Sequence, residues 1–366
     1  MYADAFRDTL ISKGKSMKKK LVVVGYGGMG GGYHAARALE KGLVELGGIY
    51  DTDEKKSELA RSRGIFAYPS LEAVCGDETV DLVTVAIPND SHLPTVLRLL
   101  EAGKNVICEK PVALSSADFQ KMLGCAEANG RRLFVHQNRR WDVDFLAMKA
   151  LHDSGEIGRI INIESRIHGS RGIPSDWRGE AKHGGGMLFD WGVHLIDQVL
   201  QIYDERLDRV YCTFVHTTNF EVDDGFRLHL YFEGGAEAYI EVGTYNFIAL
   251  PRFYMQGEKG TALIRDWREN AQVAVCTHWH ESEVLPVQNG AGLTKTMAPR
   301  DEVTLNCYEA GRPVADVYDF YRNAVDVIDG KAEPLVTNRS VMRVLRVIEA
   351  AFESERTGSV VKFEEK

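Results

Sequence analysis

The first third of the chain alternates short apolar runs with amphipathic segments. Residues 21–24 form an unbroken apolar run, which is typical of a central parallel strand covered on both faces. We expect six β/α units, the last starting near residue 133, and hence a doubly wound α/β domain whose ligand crevice lies at the strand C-termini. The predicted strands are 21–24, 44–50, 80–86, 105–108 and 133–136, and the predicted helices are 33–41, 94–102 and about 116–129.

The pattern changes after Trp141, where strand-like alternation predominates. Turns such as Glu233-Gly234-Gly235 separate these strands, so we expect an α+β domain with a large, open, mainly antiparallel sheet. Because helices would cover only one face of such a sheet, we also expect self-association. The predicted strands are 159–168, 210–217, 226–232, 236–244, 252–256, 262–266, 272–277 and 360–363; helices are predicted at about 142–154, 314–329 and 338–355, with residues 283–312 irregular.

Charge and composition exclude several classes of partner. The 366 residues carry a formal net charge of −9, which disfavours a nucleic-acid-binding surface. No apolar run approaches the ~18 residues of a membrane span, and the charged residues near the N-terminus are unlike a secretory signal peptide. The six cysteines are widely spaced and form no CxxC pair, which is typical of reduced thiols in a cytoplasmic protein.

A glycine-rich turn follows the first predicted strand directly. Gly25, Gly27 and Gly30 have the G-x-G-x-x-G spacing. In a dinucleotide site the first glycine permits a tight turn, the second lets a pyrophosphate approach the backbone, and the third lets the helix pack on the strand. The alternative is a plain loop, but the strand, the helix and Asp51, 21 residues after Gly30, together favour a dinucleotide site.

The acidic residues after the second predicted strand bear on the choice of cofactor. Asp51 stands where a carboxylate would bind the adenine-ribose hydroxyls, and Asp53 follows closely. Two acids would repel a 2′-phosphate, so we expect NAD rather than NADP. Lys55 and Lys56 weaken this preference, because they could attract the same phosphate.

These patterns predict three regions. Residues 1–16 precede a natural start at Met17 and are predicted to be an N-terminal extension. Residues 17–140 form the predicted dinucleotide-binding domain. Residues 141–366 form the predicted substrate-binding and oligomerisation domain.

The segment 184–197, G-G-G-M-L-F-D-W-G-V-H-L-I-D, combines a glycine run with a possible proton-transfer group. Asp190, His194 and Asp197 are spaced so that a regular helix would place them on one face. A carboxylate beside an imidazole can fix its tautomer and raise its basicity, and the glycines let another backbone or a ligand approach closely. The alternatives are a capping acid with a core histidine, or a zinc-binding pair without supporting cysteines.

Two further motifs are candidate ligand contacts. Lys110 lies between Glu109 and Pro111 at a predicted strand end, where it can hold a substrate hydroxyl or the cofactor ribose; the alternative is a surface lysine. Trp177 and Arg178 lie in a polar loop. An arginine beside an aromatic ring can clamp a phosphate or a sugar face, and the alternative is a surface or interface loop.

Five motifs, in this order, resemble those of the Gfo/Idh/MocA family (glucose–fructose oxidoreductase, inositol dehydrogenase and relatives), and the resemblance covers residues 18–364. It implies an N-terminal Rossmann domain, a C-terminal domain with an open sheet that packs into dimers or tetramers, and hydride transfer between a nicotinamide cofactor and a sugar or polyol carbon. The motifs are G-Y-G-G-M-G, A-I-P-N-D-S-H, E-K-P, H-Q-N-R-R-W-D and G-G-G-M-L-F-D-W-G-V-H-L-I-D.

The resemblance also implies roles for residues at matching positions. His194 would be the general base, Asp190 would orient it, and Lys110 would polarise the substrate oxygen and touch the cofactor. Arg139 and Trp141 would join these three in binding substrate, and no metal ion is expected. The expected cofactor contacts are Gly25, Tyr26, Gly27, Gly28, Met29, Gly30, Asp51, Ile87, Pro88, Asn89, His92, Glu109, Lys110, Asn138, Trp177 and Arg178.

We therefore expect an NAD-dependent dehydrogenase that acts reversibly on a secondary alcohol of a sugar, polyol or glycoside. The acidic sequence offers no phosphate-binding patch in the second domain, so we expect a neutral substrate. The alternative is a non-catalytic sensor that binds NAD and a sugar. The set of Lys110, Asp190 and His194 disfavours a sensor, because a sensor needs no proton acceptor. The chain departs from the family pattern at residues 1–16 and 283–312.

Overall fold

A computed structural model of the chain describes residues 18–203, 205–278, 286–294, 300 and 303–365. The predicted N-terminal extension, residues 1–16, lies outside the described residues. The chain divides into two compact units, Met1–Ala86 and Ile87–Lys366.

The first unit is built on parallel strands. The central strand β1 pairs with β2 on one side and β3 on the other, both in parallel, and its residues 21–23 are completely buried, as the apolar run predicts. A π-helical turn at Gly30–Ala35 continues directly into α1. The elements are β1 (Lys20–Val24), α1 (Ala36–Lys41), β2 (Glu45–Tyr50), α2 (Glu54–Ser62), α3 (Leu71–Gly76) and β3 (Leu82–Val85).

The second unit begins with two more strands of the same kind. Its first elements are α4 (His92–Glu101), β4 (Asn105–Cys108), α5 (Ser116–Ala128) and β5 (Leu133–Val135). Strands β4 and β5 pair in parallel, and the Ser115 hydroxyl caps α5 by accepting a hydrogen bond from the Asp118 amide. The described residues thus form five parallel strands, which match the five predicted strand ranges, so the expected count of six β/α units is wrong. The chain between β2 and β3 forms two helices and one isolated bridge, Ile49 to Ala67.

The rest of the second unit is organised around a nine-stranded sheet of order β15-β12-β11-β10-β6-β9-β8-β7-β16. Its neighbouring strands are antiparallel except β6 and β9, which are parallel. Both predicted fold classes are therefore confirmed. The elements are α6 (Val143–Ser154), β6 (Ile160–His168), α7 (Val193–Leu200), β7 (Leu207–Val215), β8 (Gly225–Phe232), β9 (Glu237–Gly243), β10 (Phe253–Gly257), β11 (Gly260–Ile264), β12 (Ala271–Cys276), β13 (Val287–Asn289), β14 (Gly292–Thr294), β15 (Leu305–Ala310), α8 (Asp319–Ile328), α9 (Asn338–Thr357) and β16 (Val361–Lys362).

One face of this sheet forms the core of the second unit. In β8 the side chains of Phe226, Leu228 and Leu230 are fully buried, whereas Arg227 is exposed and His229 is partly exposed. The buried face packs with residues of α7 and α9, which are apolar on one side. The self-association expected from the opposite face stays a prediction.

The prediction of an irregular segment at 283–312 is wrong for its described residues. β15 pairs with β12 along six residues and forms the edge of the sheet, and β13 and β14 form a separate hairpin. Their strand character was hidden because an exposed edge strand buries little apolar surface. Helix α8 also begins at Asp319, five residues later than predicted. Within the described residues, no helix combines the length and apolar character needed to cross a membrane.

A buried arginine links α6, α7 and the sheet. Arg252 is 6% exposed, and its guanidinium lies 2.9 Å from the Asp144 carboxylate. It also donates hydrogen bonds to the Ser165 hydroxyl at 2.7 Å and to the Gln198 side-chain oxygen at 2.9 Å. Because burying a cation is costly unless its charge is paired, these contacts hold α6, α7 and strand β6 of the sheet together.

We predict that Asp144→Asn lowers the free energy of unfolding by about 3 kcal/mol, because it leaves the charge of Arg252 buried without its carboxylate partner. Asp153→Asn is the matched control on the same helix, since Asp153 pairs with Lys149 at the surface; it should cost less than about 1 kcal/mol. Urea denaturation measures both. Equal effects of the two substitutions would contradict this role for the Arg252 cluster.

Candidate active site

The glycine-rich turn of the first unit has the shape that a dinucleotide phosphate requires. Gly25 has φ 91°, and a Cβ on Gly30 would lie 1.7 Å from the Gly25 oxygen, so only glycine lets the π-helical turn pack against the strand end. Gly27 and Gly28 are exposed, and an added Cβ would meet no atom within 4 Å at either. The backbone there is open to an approaching ligand, so the turn fits a bound pyrophosphate.

Asp51 ties this turn to the end of β2. Its carboxylate accepts hydrogen bonds from the Tyr26 amide at 2.6 Å and from the Asp53 amide at 2.8 Å. Asp53 in turn caps α2 by accepting from the Lys55 amide. The Asp51 carboxylate therefore lies at the turn, and the Asp53 carboxylate lies at the start of α2, two residues further along the chain. Tyr26 is buried and Met29, on the same turn, is exposed.

In the second unit, Lys110 is held by Asp190. The Lys110 ammonium donates to the Asp190 carboxylate at 2.9 Å and to the Asp190 main-chain oxygen at 2.8 Å. The Arg178 guanidinium lies 3.4 Å from the same carboxylate oxygen. Burial by itself raises the pKa of Asp190, but the positive charges of Lys110 and Arg178 outweigh it and hold that pKa below its usual value. Asp190 is thus a carboxylate that fixes a lysine beside an arginine.

The Trp177–Arg178 loop reaches this carboxylate through a short 3₁₀ turn, Trp177–Gly179. The Arg178 guanidinium packs 4.6 Å from the centre of the Trp177 ring and lies 2.8 Å from the Asp176 carboxylate. The pair proposed from sequence as a ligand clamp is therefore assembled, and its arginine reaches the catalytic candidate Asp190. Cofactor contact by Trp177 stays a prediction.

The glycine run before Asp190 serves close packing of the chain on itself. A Cβ on Gly184 would lie 2.2 Å from the Leu114 side chain, and one on Gly185 would lie 2.2 Å from the Arg178 oxygen. The Asn89 amide donates to the Gly184 oxygen at 2.9 Å, so this predicted cofactor residue also supports the run. The sequence analysis gave two reasons for the glycine run, close approach of another backbone or of a ligand. The described contacts support the first.

Asp223 anchors the start of the helix that follows. Its carboxylate accepts from the Leu188 amide at 2.8 Å, and a Cβ on Gly186 would lie 2.1 Å from the same carboxylate. Burial raises the pKa of Asp223 to about 8. The sequence carried no signal for this role, because the contact joins residues 35 positions apart.

The helix start itself departs from the regular geometry assumed in the sequence analysis. Leu188–Gly192 is a π-helical turn, and α7 begins at Val193. His194 and Asp197 both lie in the regular part of α7, three residues apart as predicted, whereas Asp190 lies in the π-helical turn and binds Lys110. Asp197 instead forms a two-pronged ion pair with Arg140, at 2.6 and 2.7 Å.

His194 is buried, and one of its ring nitrogens is free to bind a ligand. It is 4% exposed, and its Nδ1 atom has no hydrogen-bond partner among the described residues. The described contacts include no hydrogen bond from His194 to the Asp190 carboxylate, which was expected to orient the ring. Burial lowers the pKa of His194 well below its usual value, and the charges of Lys110 and Arg139 lower it further. The imidazole is therefore neutral near pH 7 and able to accept a proton.

Of the two other expected substrate contacts, Arg139 lies near this histidine and Trp141 packs against α8. Arg139 packs 4.1 Å from the centre of the Trp191 ring, and the Trp191 ring centre lies 6.2 Å from that of His194. The Trp141 ring makes an edge contact with Phe320. Sequence reasoning gave Trp191 no role, although its position between the two candidate catalytic residues was a usable signal.

The remaining cofactor candidates form supporting contacts. His92 is fully buried, with its ring nitrogens 2.9 Å from the Pro111 oxygen and 3.0 Å from the Ile87 oxygen, so it links two loops. The Glu109 carboxylate lies 2.8 Å from the His136 Nδ1 atom. Partly exposed residues at the ends of these loops are Ile87, Pro88 and Asn138. Their contact with a cofactor stays a prediction.

We predict that the pKa of His194 lies well below that of an ordinary histidine and that Arg139→Gln raises it, because this removes a positive charge that disfavours the imidazolium. NMR titration of ¹³C-labelled histidine measures the pKa, with the His194 signal assigned by its loss in His194→Gln. Arg159→Gln, which removes an exposed arginine, is the control and should leave the His194 pKa unchanged. An unmoved pKa in Arg139→Gln would contradict the electrostatic argument.

Comparison with known proteins places both parts of the chain in one family. A family model described as "Oxidoreductase family, NAD-binding Rossmann fold" matches residues 19–137. A second model, "GFO/IDH/MocA C-terminal domain", matches residues 145–263. The interval between the two matches contains residue 140, where the domain boundary is predicted.

Individual relatives agree with these matches. An NAD-binding protein from Listeria innocua is 44% identical, and its solved structure superposes with a TM-score of 0.91 over 95% of this chain and 100% of that one. The scyllo-inositol 2-dehydrogenase (NADP(+)) IolW of Bacillus subtilis (strain 168) is 28% identical over 94% of this chain and 96% of its own length. An uncharacterized oxidoreductase of Schizosaccharomyces pombe is 34% identical over 42% of this chain and 44% of its own length. The chain spans about half the length of this relative and of another curated relative, an uncharacterized oxidoreductase of Escherichia coli: the alignments cover 44% and 52% of those two proteins. Taken with the fold and with the geometry of the glycine-rich turn, these matches show that the chain belongs to the Gfo/Idh/MocA family of oxidoreductases.

Proposed function

We propose that this oxidoreductase transfers a hydride between a nicotinamide cofactor and a secondary-alcohol carbon of a neutral sugar, polyol or glycoside. The observation that carries the proposal is the buried, neutral His194, whose Nδ1 atom has no partner among the described residues. Lys110, held by Asp190, is one of the charges that keep it neutral. A neutral imidazole near a fixed ammonium is suited to alcohol oxidation, because one removes a proton and the other stabilises the oxygen that loses it.

In the oxidation direction, His194 accepts the hydroxyl proton of the substrate. Lys110 donates a hydrogen bond to the same oxygen and stabilises its developing negative charge. Asp190 keeps Lys110 in place through two contacts, and so acts on the lysine and not on the histidine. When bound, the nicotinamide supplies the hydride acceptor for oxidation and the hydride donor for the reverse reaction. In reduction, the protonated His194 returns its proton to the oxygen.

The relatives support the choice of substrate class. The name of IolW gives scyllo-inositol as its substrate, and this protein aligns with nearly the whole of the present chain. Inositol is a neutral ring polyol with secondary hydroxyl groups. A polyol of this kind agrees with the neutral substrate that we expect from the sequence.

We predict that at least one member of a panel of polyols and glycosides reduces the cofactor, and that His194→Ala lowers kcat by about 10²-fold or more, because no group then accepts the proton. The increase in absorbance of reduced nicotinamide measures the rate. His152→Gln changes a histidine on α6 and is the matched control; it should leave kcat unchanged.

Two results would contradict this function. One is the absence of turnover with every panel member and both NAD and NADP. The other is an unchanged kcat in His194→Ala. Cofactor binding, measured by calorimetry, should persist in His194→Ala, which separates a loss of proton transfer from a loss of the fold.

We further propose that NAD is preferred over NADP, because the Asp51 carboxylate lies at the glycine-rich turn and a second acid, Asp53, follows two residues later. The name of IolW gives NADP(+) as the cofactor of that relative, so the preference must come from this chain's own residues. The carboxylates would repel a 2′-phosphate at close range. Asp51 also holds the Tyr26 amide, so its charge is kept at the turn.

We predict that Asp51→Asn shifts the ratio of NAD to NADP affinity by about tenfold toward NADP, because it removes a repulsive charge and keeps one amide-accepting oxygen. Glu45→Gln, at the other end of β2, makes the same change of charge and is the control. Calorimetric titration with each cofactor measures the affinities. If the wild-type protein binds NADP as tightly as NAD, the argument from Asp51 is wrong.

A further inference from the structure

A second tryptophan extends the aromatic surface beside His194. Trp267 lies on the turn between β11 and β12 and is 41% exposed. Its ring centre lies 6.3 Å from that of Trp191, with the planes at 39°, and the Trp191 ring is in edge contact with His194. Trp267 is therefore two ring contacts away from the proposed proton acceptor. Neither the family matches nor the proposed reaction gives it a role.

The turn that carries Trp267 is fastened from a distant part of the chain. The Arg312 guanidinium donates to the Trp267 oxygen at 2.8 Å and to the Arg268 oxygen at 2.6 Å. The Asp266 carboxylate also accepts from the Arg268 amide at 3.0 Å. These bonds restrict the backbone on both sides of the tryptophan. The backbone that carries this partly exposed ring is thus restrained, and the ring itself packs against Trp191, as a binding platform requires.

Trp267 offers aromatic surface that Trp191 does not. The Arg139 guanidinium covers one face of Trp191 at 4.1 Å, so part of that ring is already occupied. If Trp267 served only to pack against Trp191, burial of most of its ring would be expected, because the indole contributes to stability mainly through the area removed from water. Its exposure leaves an indole surface available to a ligand that extends away from His194.

We propose that Trp267 is a stacking platform for the second ring of a glycoside whose first ring is oxidised beside His194. This inference rests on the proposed function. The apolar C–H face of a sugar ring and the face of an aryl group both stack on an indole, so either can supply the second ring. A single-ring polyol bound beside His194 has no second ring with which to contact Trp267. The platform therefore selects two-ring substrates over one-ring substrates.

The test compares Trp267→Ala and Trp267→Phe with wild type on three substrates: a single-ring polyol, a disaccharide and an aryl glycoside. Trp267→Ala should lower kcat/KM about tenfold for the two-ring substrates and leave kcat/KM for the polyol unchanged. Trp267→Phe should restore part of the loss, because a smaller ring still stacks. The separate responses of the disaccharide and the aryl glycoside identify which second ring is used. Phe220→Ala removes an aromatic ring that is 84% exposed in another loop and is the control.

Equal losses for one-ring and two-ring substrates, or no loss for either, would overturn the platform. A calorimetric titration without turnover distinguishes its failure from failure of the proposed function. Wild type should bind a two-ring ligand more tightly than the corresponding single ring, and Trp267→Ala should abolish that difference. If the difference is found but no alcohol is oxidised, the proposed reaction fails and the platform stands. If alcohols are oxidised and the difference is absent, the platform fails alone.

Discussion

The chemistry of the second unit depends on one partly buried ion pair, between Lys110 and Asp190. The lysine follows β4, and its partner lies 80 residues later, in the π-helical turn before α7. The ammonium donates two hydrogen bonds to Asp190, one to its carboxylate and one to its main-chain oxygen, and these determine where the ammonium lies. Since an unpaired charge in this environment would be costly, the local chain must keep the two residues together.

The surrounding backbone is shaped to keep this pair assembled. Gly185 and Gly186 allow the chain to pass so close to Arg178 and Asp223 that a side chain would collide with either. Asp223 then holds the first amide of the π-helical turn. These contacts explain why a flexible glycine run precedes a rigid helix: the glycines serve close packing, and the packing positions Asp190.

Burial and two nearby cations, one of them the Lys110 of this ion pair, lower the pKa of His194. Burial disfavours the charged imidazole, and the ammonium of Lys110 and the guanidinium of Arg139 disfavour it further. A histidine kept neutral in this way is in the form that accepts a proton, and in the proposed reaction the same lysine stabilises the alkoxide. In the proposed reaction the same electrostatic arrangement thus prepares the base and stabilises the product of proton removal.

Local sequence by itself determined the features that depend on neighbouring residues. The apolar run before Gly25 predicted the buried strand, and the spacing of Gly25 and Gly30 predicted the tight turn, because both follow from contacts within a few residues. The motif resemblance similarly identified the family. Only the tertiary structure decided that Asp190 binds Lys110 and that Asp197 binds Arg140, since these partners are 80 and 57 residues apart and Asp190 lies in a π-helical turn. The same holds for Trp267, whose turn is fixed by Arg312 from 45 residues away. Periodicity describes a regular helix or strand, and it carries no information on such long-range contacts or on a local change of helical pitch.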